Sequence, residues 1–208
     1  MPPRSNSREF VLAAASFVFL LSYTGLTLGE SPTILVLAWT FSALVWIIFA
    51  VDVVLRAVQI GPAKYFRHYW WELLPLILPV FRALRVVTLV RQLPYFRHAT
   101  QENIRRRLVL EMLLSSTLYI YVSSLTAYRV EHLASGATID SWGNATWWTI
   151  VTMATVGYGD FTPVTITGRI VAVCNMVVGI IMIGITSATV VNYLSELTAK
   201  AARDHHKA

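Results

Sequence analysis

The chain is expected to be an all-α integral membrane protein. It has six transmembrane helices, four in one unit and two in a second, and a short re-entrant helix with its loop lies between the last two. Three observations lead there. First, 56% of the 208 residues are hydrophobic and only 13% charged, and the apolar residues gather in runs of membrane-spanning length. Second, the net charge of +6 falls mainly in short segments between those runs and in one helical stripe. That is the pattern of positive-inside orientation rather than of a nucleic-acid surface. Third, residues 142–160 are too short to span yet lie between two full runs. Irregular backbone at membrane depth is tolerated only where protein shields it or water lies beside it.

The start, residues 1–8, is short and basic, and Phe10–Leu28 is the first span. It is long for a signal-peptide core, and no small-x-small cleavage site follows it. Glu30-Ser31-Pro32 forms an outside turn, and the second span runs over 33–58 with Asp52 and Arg56 near its inner end. Phe49 and Asp52 are nearly one helical turn apart and share a face, while Arg56 is expected to snorkel to the interface. Gly61-Pro62 breaks the pattern, and Lys64, Arg67 and His68 mark an inside loop. A third span over about 65–80 holds Glu72, with Pro75 and Pro79 kinking its outer end. The fourth, over about 80–94, carries Arg82, Arg85, Thr88 and Arg91. A residue of that set at every third position winds a steep spiral along a helix, and arginine inside a bilayer needs acids or water beside it. Asp52 and Glu72 are the candidate partners; an interfacial glutamate is an equal reading for Glu72.

Residues 95–107 read as an interfacial linker whose Arg97, Arg105, Arg106 and Arg107 suit anionic lipid headgroups as well as plain inside anchoring. The fifth span is 108–130, followed by Arg129, Glu131 and His132 at the outer end of the helix and by a turret through Asp140. Ser141 caps a helix over 142–153. Its C-terminal end would aim partial negative charge at a central cavity, favouring a cation there. The last span is 168–193, with Gly179 and Gly184, and 196–208 is a short polar tail. Cys174, the single cysteine, excludes an intrachain disulfide and any cysteine-based metal site. No nucleophile, metal cluster or phosphate loop points to an enzyme or to a bound cofactor.

The loop after the short helix reads Thr155-Val156-Gly157-Tyr158-Gly159-Asp160. Glycine alternates with bulkier residues, and Gly157 and Gly159 tolerate the positive φ that turns successive carbonyls toward one side. Such a row of oxygens can replace a cation's hydration shell when four copies surround an axis. No internal repeat supplies the other copies, so a homotetramer is expected. TVGYGD resembles the filter signature of the potassium channel family, and the preceding Trp147-Trp148-Thr149-Ile150-Val151-Thr152-Met153-Ala154 resembles its pore helix. Over nearly its whole length the chain resembles the voltage-gated, prokaryotic six-span type.

That resemblance implies a voltage-sensor-like domain over 1–94, the linker 95–107, a pore domain over 108–195 and a cytoplasmic tail. It implies K⁺ coordination by the carbonyls of Thr155, Val156, Gly157 and Tyr158, with Val156 and Tyr158 facing the wall and Asp160 forming an outer acidic ring. Trp147 and Trp148 would support the filter behind Tyr158, Trp148 with a hydrogen bond to Asp160. Arg82, Arg85 and Arg91 stand as gating charges, Phe49 as occluding aromatic, and Asp52 and Glu72 as counter-charges. Gly179 matches the hinge glycine, while Gly184 is read as a helix-packing position. Thr88 replaces a common sensor arginine, Val151 a filter-supporting glutamate and Ala154 a frequent threonine. The protein is expected in a plasma membrane with both termini inside, conducting K⁺ under voltage control. Alternatives are a K⁺ pore with a degenerate sensor, gated by lipid or constitutively open, and, more remotely, a transporter or non-conducting subunit.

Overall fold

The computed structural model describes residues 6–69, 73 and 101–205. The expectations placed on Glu72, Pro75, Pro79, Arg82, Arg85, Thr88, Arg91, Pro94 and Arg97 lie outside those residues. Among the described residues every regular element is helical: α1 Asn6–Leu28, α2 Pro32–Ile60, α3 Pro62–His68, α4 Gln101–Glu131, α5 Trp142–Met153 and α6 Ile166–His205. Four of them contain stretches long and apolar enough to cross a membrane: Phe10–Leu28, Pro32–Ile60, Arg106–Glu131 and Ile166–Ser195. The protein is an all-helical membrane protein. The chain divides into two units, Met1–Arg129 and Val130–Ala208.

In the first unit, local chemistry sets the helix ends. Ser31 caps α2, its Oγ accepting from the Ile34 N–H at 3.2 Å, with Pro32 in the first turn where a missing N–H costs nothing. The helix stops at Gly61, whose φ is 94° and whose N–H bonds the Ala57 carbonyl at 3.0 Å. Pro62 then opens the seven-residue α3, which takes in Lys64, Arg67 and His68 and closes at Tyr69. The segment expected as an inside loop is therefore a short helix, with Tyr65 fully buried. At 29 residues α2 is about 43 Å long, against a hydrocarbon core of about 30 Å. Asp52 lies toward its C-terminal end, on a buried face with Val45, Phe49 and Val53.

Two helices exceed their expected limits. The helix that carries the fifth span begins at Gln101, so Arg105, Arg106 and Arg107 belong to α4, while its stretch apolar enough to cross is Arg106–Glu131. The Arg107 guanidinium pairs with Glu111 one turn on, Nε to Oε1 at 3.0 Å. The last helix begins at Ile166 and continues through residues 196–205 of the polar tail. In the second unit α5 covers Trp142–Met153, about 18 Å of helix at 1.5 Å per residue and too short to span.

Candidate functional site

The second unit builds one exposed loop between α5 and α6. Its entry is set by the capped helix: the Ser141 Oγ accepts from the Asn144 N–H at 3.2 Å, and the Asp140 carboxylate accepts from the Asn144 side-chain amide at 2.7 Å. At the other end of α5, the Thr155 N–H bonds the Thr152 carbonyl at 3.0 Å. The N–H groups of Val156 and Gly157 share the Val151 carbonyl at 3.0 and 3.3 Å.

From there the backbone alternates in hand. Thr155, Gly157 and Gly159 have φ of 58°, 58° and 79°, and Thr155 is the one non-glycine residue with positive φ among the described residues. A β-branched residue in the left-handed region is strained, so the surroundings must hold it there. Sequence reasoning placed the positive φ on the glycines alone and missed Thr155. The available signal was the two-residue spacing of 155, 157 and 159. All residues from Thr155 to Asp160 are exposed in the single chain, Val156 at 54% and Tyr158 at 67%.

The far side of the loop is tied at three places. The Trp147 indole N–H donates to Asp160 Oδ2 at 2.8 Å, and its ring stacks on Tyr158 with centroids 5.9 Å apart and planes 5° from parallel. This corrects the expectation for the tryptophan pair: Trp147 holds Asp160, while Trp148 is buried in the unit. Neighbouring residues on a helix point about 100° apart, so the two indoles cannot serve the same bond. Next, Thr138 brackets Thr162, its Oγ1 accepting from the Thr162 N–H at 3.0 Å and donating to the Thr162 carbonyl at 3.2 Å.

The third tie is Glu131, fully buried at the end of α4. Its carboxylate accepts from the Val164 N–H at 2.9 Å, the Thr165 N–H at 3.0 Å and the Thr165 hydroxyl at 2.6 Å. The same hydroxyl accepts from the Gly168 N–H at 2.9 Å, capping α6. A Cβ on Gly168 would overlap the Glu131 carboxylate and lie 2.9 Å from Pro163 Cβ, so only glycine fits. The sequence shows Glu131 as one of several charges after a span. Nothing in its neighbourhood pairs it with residues 33 and 34 positions later.

Gly179 and Gly184 differ in their surroundings within the chain. A Cβ on Gly179 would overlap the Met153 carbonyl and lie 2.9 Å from its Cα, so α6 passes directly against the end of α5. Around Gly184 there is nothing within 4 Å.

In the first unit, Phe49 is 1% exposed, one turn before Asp52. Asp52 Oδ2 pairs with Arg56 Nη2 at 2.9 Å, the two side chains being 9% and 11% exposed. Arg56, expected as a snorkelling anchor, is half-buried and ion-paired on its own helix. With its counter-charge one turn away on the same helix, it offsets part of the desolvation cost of both groups.

Comparison with known proteins gives these geometries a family. The profile of a family described as ion channels matches residues 108–196. A candidate potassium channel protein of Rhodopseudomonas palustris is 34% identical over 124 residues, covering 55% of this chain and 30% of that one. A calcium-gated potassium channel of Thermoplasma volcanium is 33% identical over 110 residues, 53% of this chain and 29% of its own. A voltage-gated potassium channel of Aeropyrum pernix is 32% identical over 80 residues, 38% and 27% respectively. The chain spans less than a third of the length of these relatives. A helix, a tied loop of alternating hand and a second long helix thus lie in the stretch that matches the ion channel family, and relatives named as potassium channels are similar to the chain.

Proposed function

We propose that four copies of this chain form a K⁺-selective channel, with the carbonyls of Thr155, Val156, Gly157 and Tyr158 as the ion's ligands and the Thr155 hydroxyl completing the innermost site. The observation that carries this is the left-handed φ at 155, 157 and 159. Alternation of hand along a strand-like loop turns successive carbonyls to one side, where a row of them replaces the hydration shell of a cation. One chain offers a single wall of such a site. The exposure of Val156 and Tyr158 supports coverage by neighbouring chains. Asp160, held by Trp147, stands at the outer end of the row, where a ring of carboxylates concentrates cations.

Gating by voltage through Arg82, Arg85 and Arg91 is the proposed control, each charge worth about 2.3 kcal/mol per 100 mV if it crosses the whole field. The buried face of Phe49 and Asp52 supports it. Glu72 is the second counter-charge, Gly179 the hinge, and Arg97 with Arg105, Arg106 and Arg107 the contact with anionic lipid. The membrane is a plasma membrane with both termini inside. The Asp52–Arg56 pair also favours a second reading, because an acid already paired on its own helix has less charge to offer a moving arginine. In that reading the pore is K⁺-selective and its opening flat with voltage.

Current through the purified protein in planar bilayers separates these readings. Under a K⁺/Na⁺ gradient the reversal potential should follow K⁺; a reversal potential indifferent to K⁺ would refute the filter assignment. Open probability that rises steeply over voltage steps supports the sensor, and a flat response selects the second reading.

A further inference from the structure

We infer that the α1–α2 pair of each chain docks on α4 of that same chain through a two-way hydroxyl latch, so that in the four-chain assembly proposed above no chain lends this pair to its neighbour. The inference rests on that assembly for its consequence, but the latch itself stands on contacts within one chain.

Two side-chain bonds join α1 to α4. Tyr23 Oη meets Thr126 Oγ1 at 2.9 Å, and Tyr121 Oη meets Thr24 Oγ1. The direction of each follows from proton counting, since a hydroxyl has one proton to give. Thr126 donates its proton to the Val122 carbonyl at 2.7 Å, and Thr24 donates to the Leu20 carbonyl at 2.8 Å. Both threonines therefore accept, and both tyrosines donate across the seam. Each helix supplies one donor and one acceptor, a reciprocity that fixes both the rotation and the height of α1 against α4.

Residues beside the latch on both helices are buried. On α1, Tyr23 is 9% exposed and stacks on Phe19 with centroids 5.6 Å apart. On α4, Val122, Ser124 and Leu125 are fully buried. The span in α1 is 44% buried, against 17% for α2. Hydroxyls at membrane depth have no water to return to, so four of them matched in pairs hold their partners.

The competing occupant of the α1 face is α4 of a neighbouring chain, and covalent cross-linking distinguishes the two. In the full chain with Cys174→Ser, which removes the sole native thiol, two pairs are built: Thr24→Cys with Tyr121→Cys, and Tyr23→Cys with Thr126→Cys. Tyrosine's length keeps the paired backbones too far apart for a direct disulfide, so a short bis-methanethiosulfonate bridges them. The protein, in lipid nanodiscs, is then denatured, treated with a maleimide-polyethylene glycol and run without reductant. Intact mass then counts the attached reagents: the latch predicts a single-chain species carrying one bridge joined at both ends, with both methanesulfinates lost. A ladder of covalent dimers to tetramers would overturn it in favour of exchange between chains. A single-chain species with its two thiols capped by separate reagent molecules or left free, in both pairs, would overturn the contact altogether. Having two pairs guards against one misfolded variant. Native mass of the uncrosslinked sample reads the assembly separately. A tetramer that gives the ladder keeps the four-chain reading and loses the latch. A monomer carrying the single bridge loses the four-chain reading and keeps the latch.

Discussion

At Thr155, Gly157 and Gly159 the backbone conformation matters more than the side chain. A Cβ at φ of 58° or 79° costs about 1–2 kcal/mol per chain, repeated in every copy of a tetramer. Gly157→Ala and Gly159→Ala should therefore abolish selectivity, read as a reversal potential that no longer follows the K⁺ gradient. Glu131 is a second residue whose role is geometric. Its removal in Glu131→Ala leaves two backbone N–H groups and a hydroxyl without their acceptor, a loss on the order of 3 kcal/mol per chain. Thermal unfolding should move down by several degrees, and Glu131→Gln should lose less because its amide oxygen still accepts. Asp52 and Arg56 make a third test. Asp52→Asn removes the carboxylate that pairs with Arg56, and breaking such a pair from one side costs about 3–5 kcal/mol where it is fully buried and less here, where Arg56 is half-buried. The double change Asp52→Asn with Arg56→Gln should recover much of that stability; denaturation midpoints of the single and double variants measure the difference.

Among the helices, α5 shows what local signals can do. Its Ser141 cap and its limits at 142 and 153 are readable in the sequence because capping and helix initiation depend on residues within one turn. The ends of α4 and α6 are not. Polar residues 101–107 and 196–205 suggested linker and tail, yet neither helix contains a glycine or proline there to stop it. A helix already nucleated continues through polar residues at little cost. The same contrast governs the glycines of α6. Gly179→Ala should drive α6 away from the Met153 backbone and lower the yield of folded protein, while Gly184→Ala, with open space around it, should leave stability unchanged. Size-exclusion profiles and melting of the two variants, side by side, check this.

For the whole molecule, the proposed voltage control depends on charges in the fourth span. Neutralising Arg82, Arg85 and Arg91 together should flatten the dependence of open probability on voltage while leaving the K⁺ reversal potential in place. Unchanged steepness in bilayer recordings would rule those arginines out as the sensor. An exchange of domains between chains, or its absence, also belongs to this scale, since no helix alone records which α4 it meets.

From the sequence alone come the membrane class, the long apolar helices, the short helix between two of them, the Ser31 and Ser141 caps and the TVGYGD loop. All of these are set by composition, by period and by neighbours a few residues away. Tertiary structure decided which tryptophan holds Asp160, why Gly168 and Gly179 are glycine, what Glu131 binds, and that Asp52 is buried beside its ion pair with Arg56. It also joined Tyr23 to Thr126 and Thr24 to Tyr121, pairs 103 and 97 residues apart. The physical reason is rotation and register. Hydrogen bonds to residue i−4 make a helix without reference to the rest of the chain, but they leave open the angle and height at which it meets another. A turn of about 100° exchanges one side chain for its neighbour at the contact.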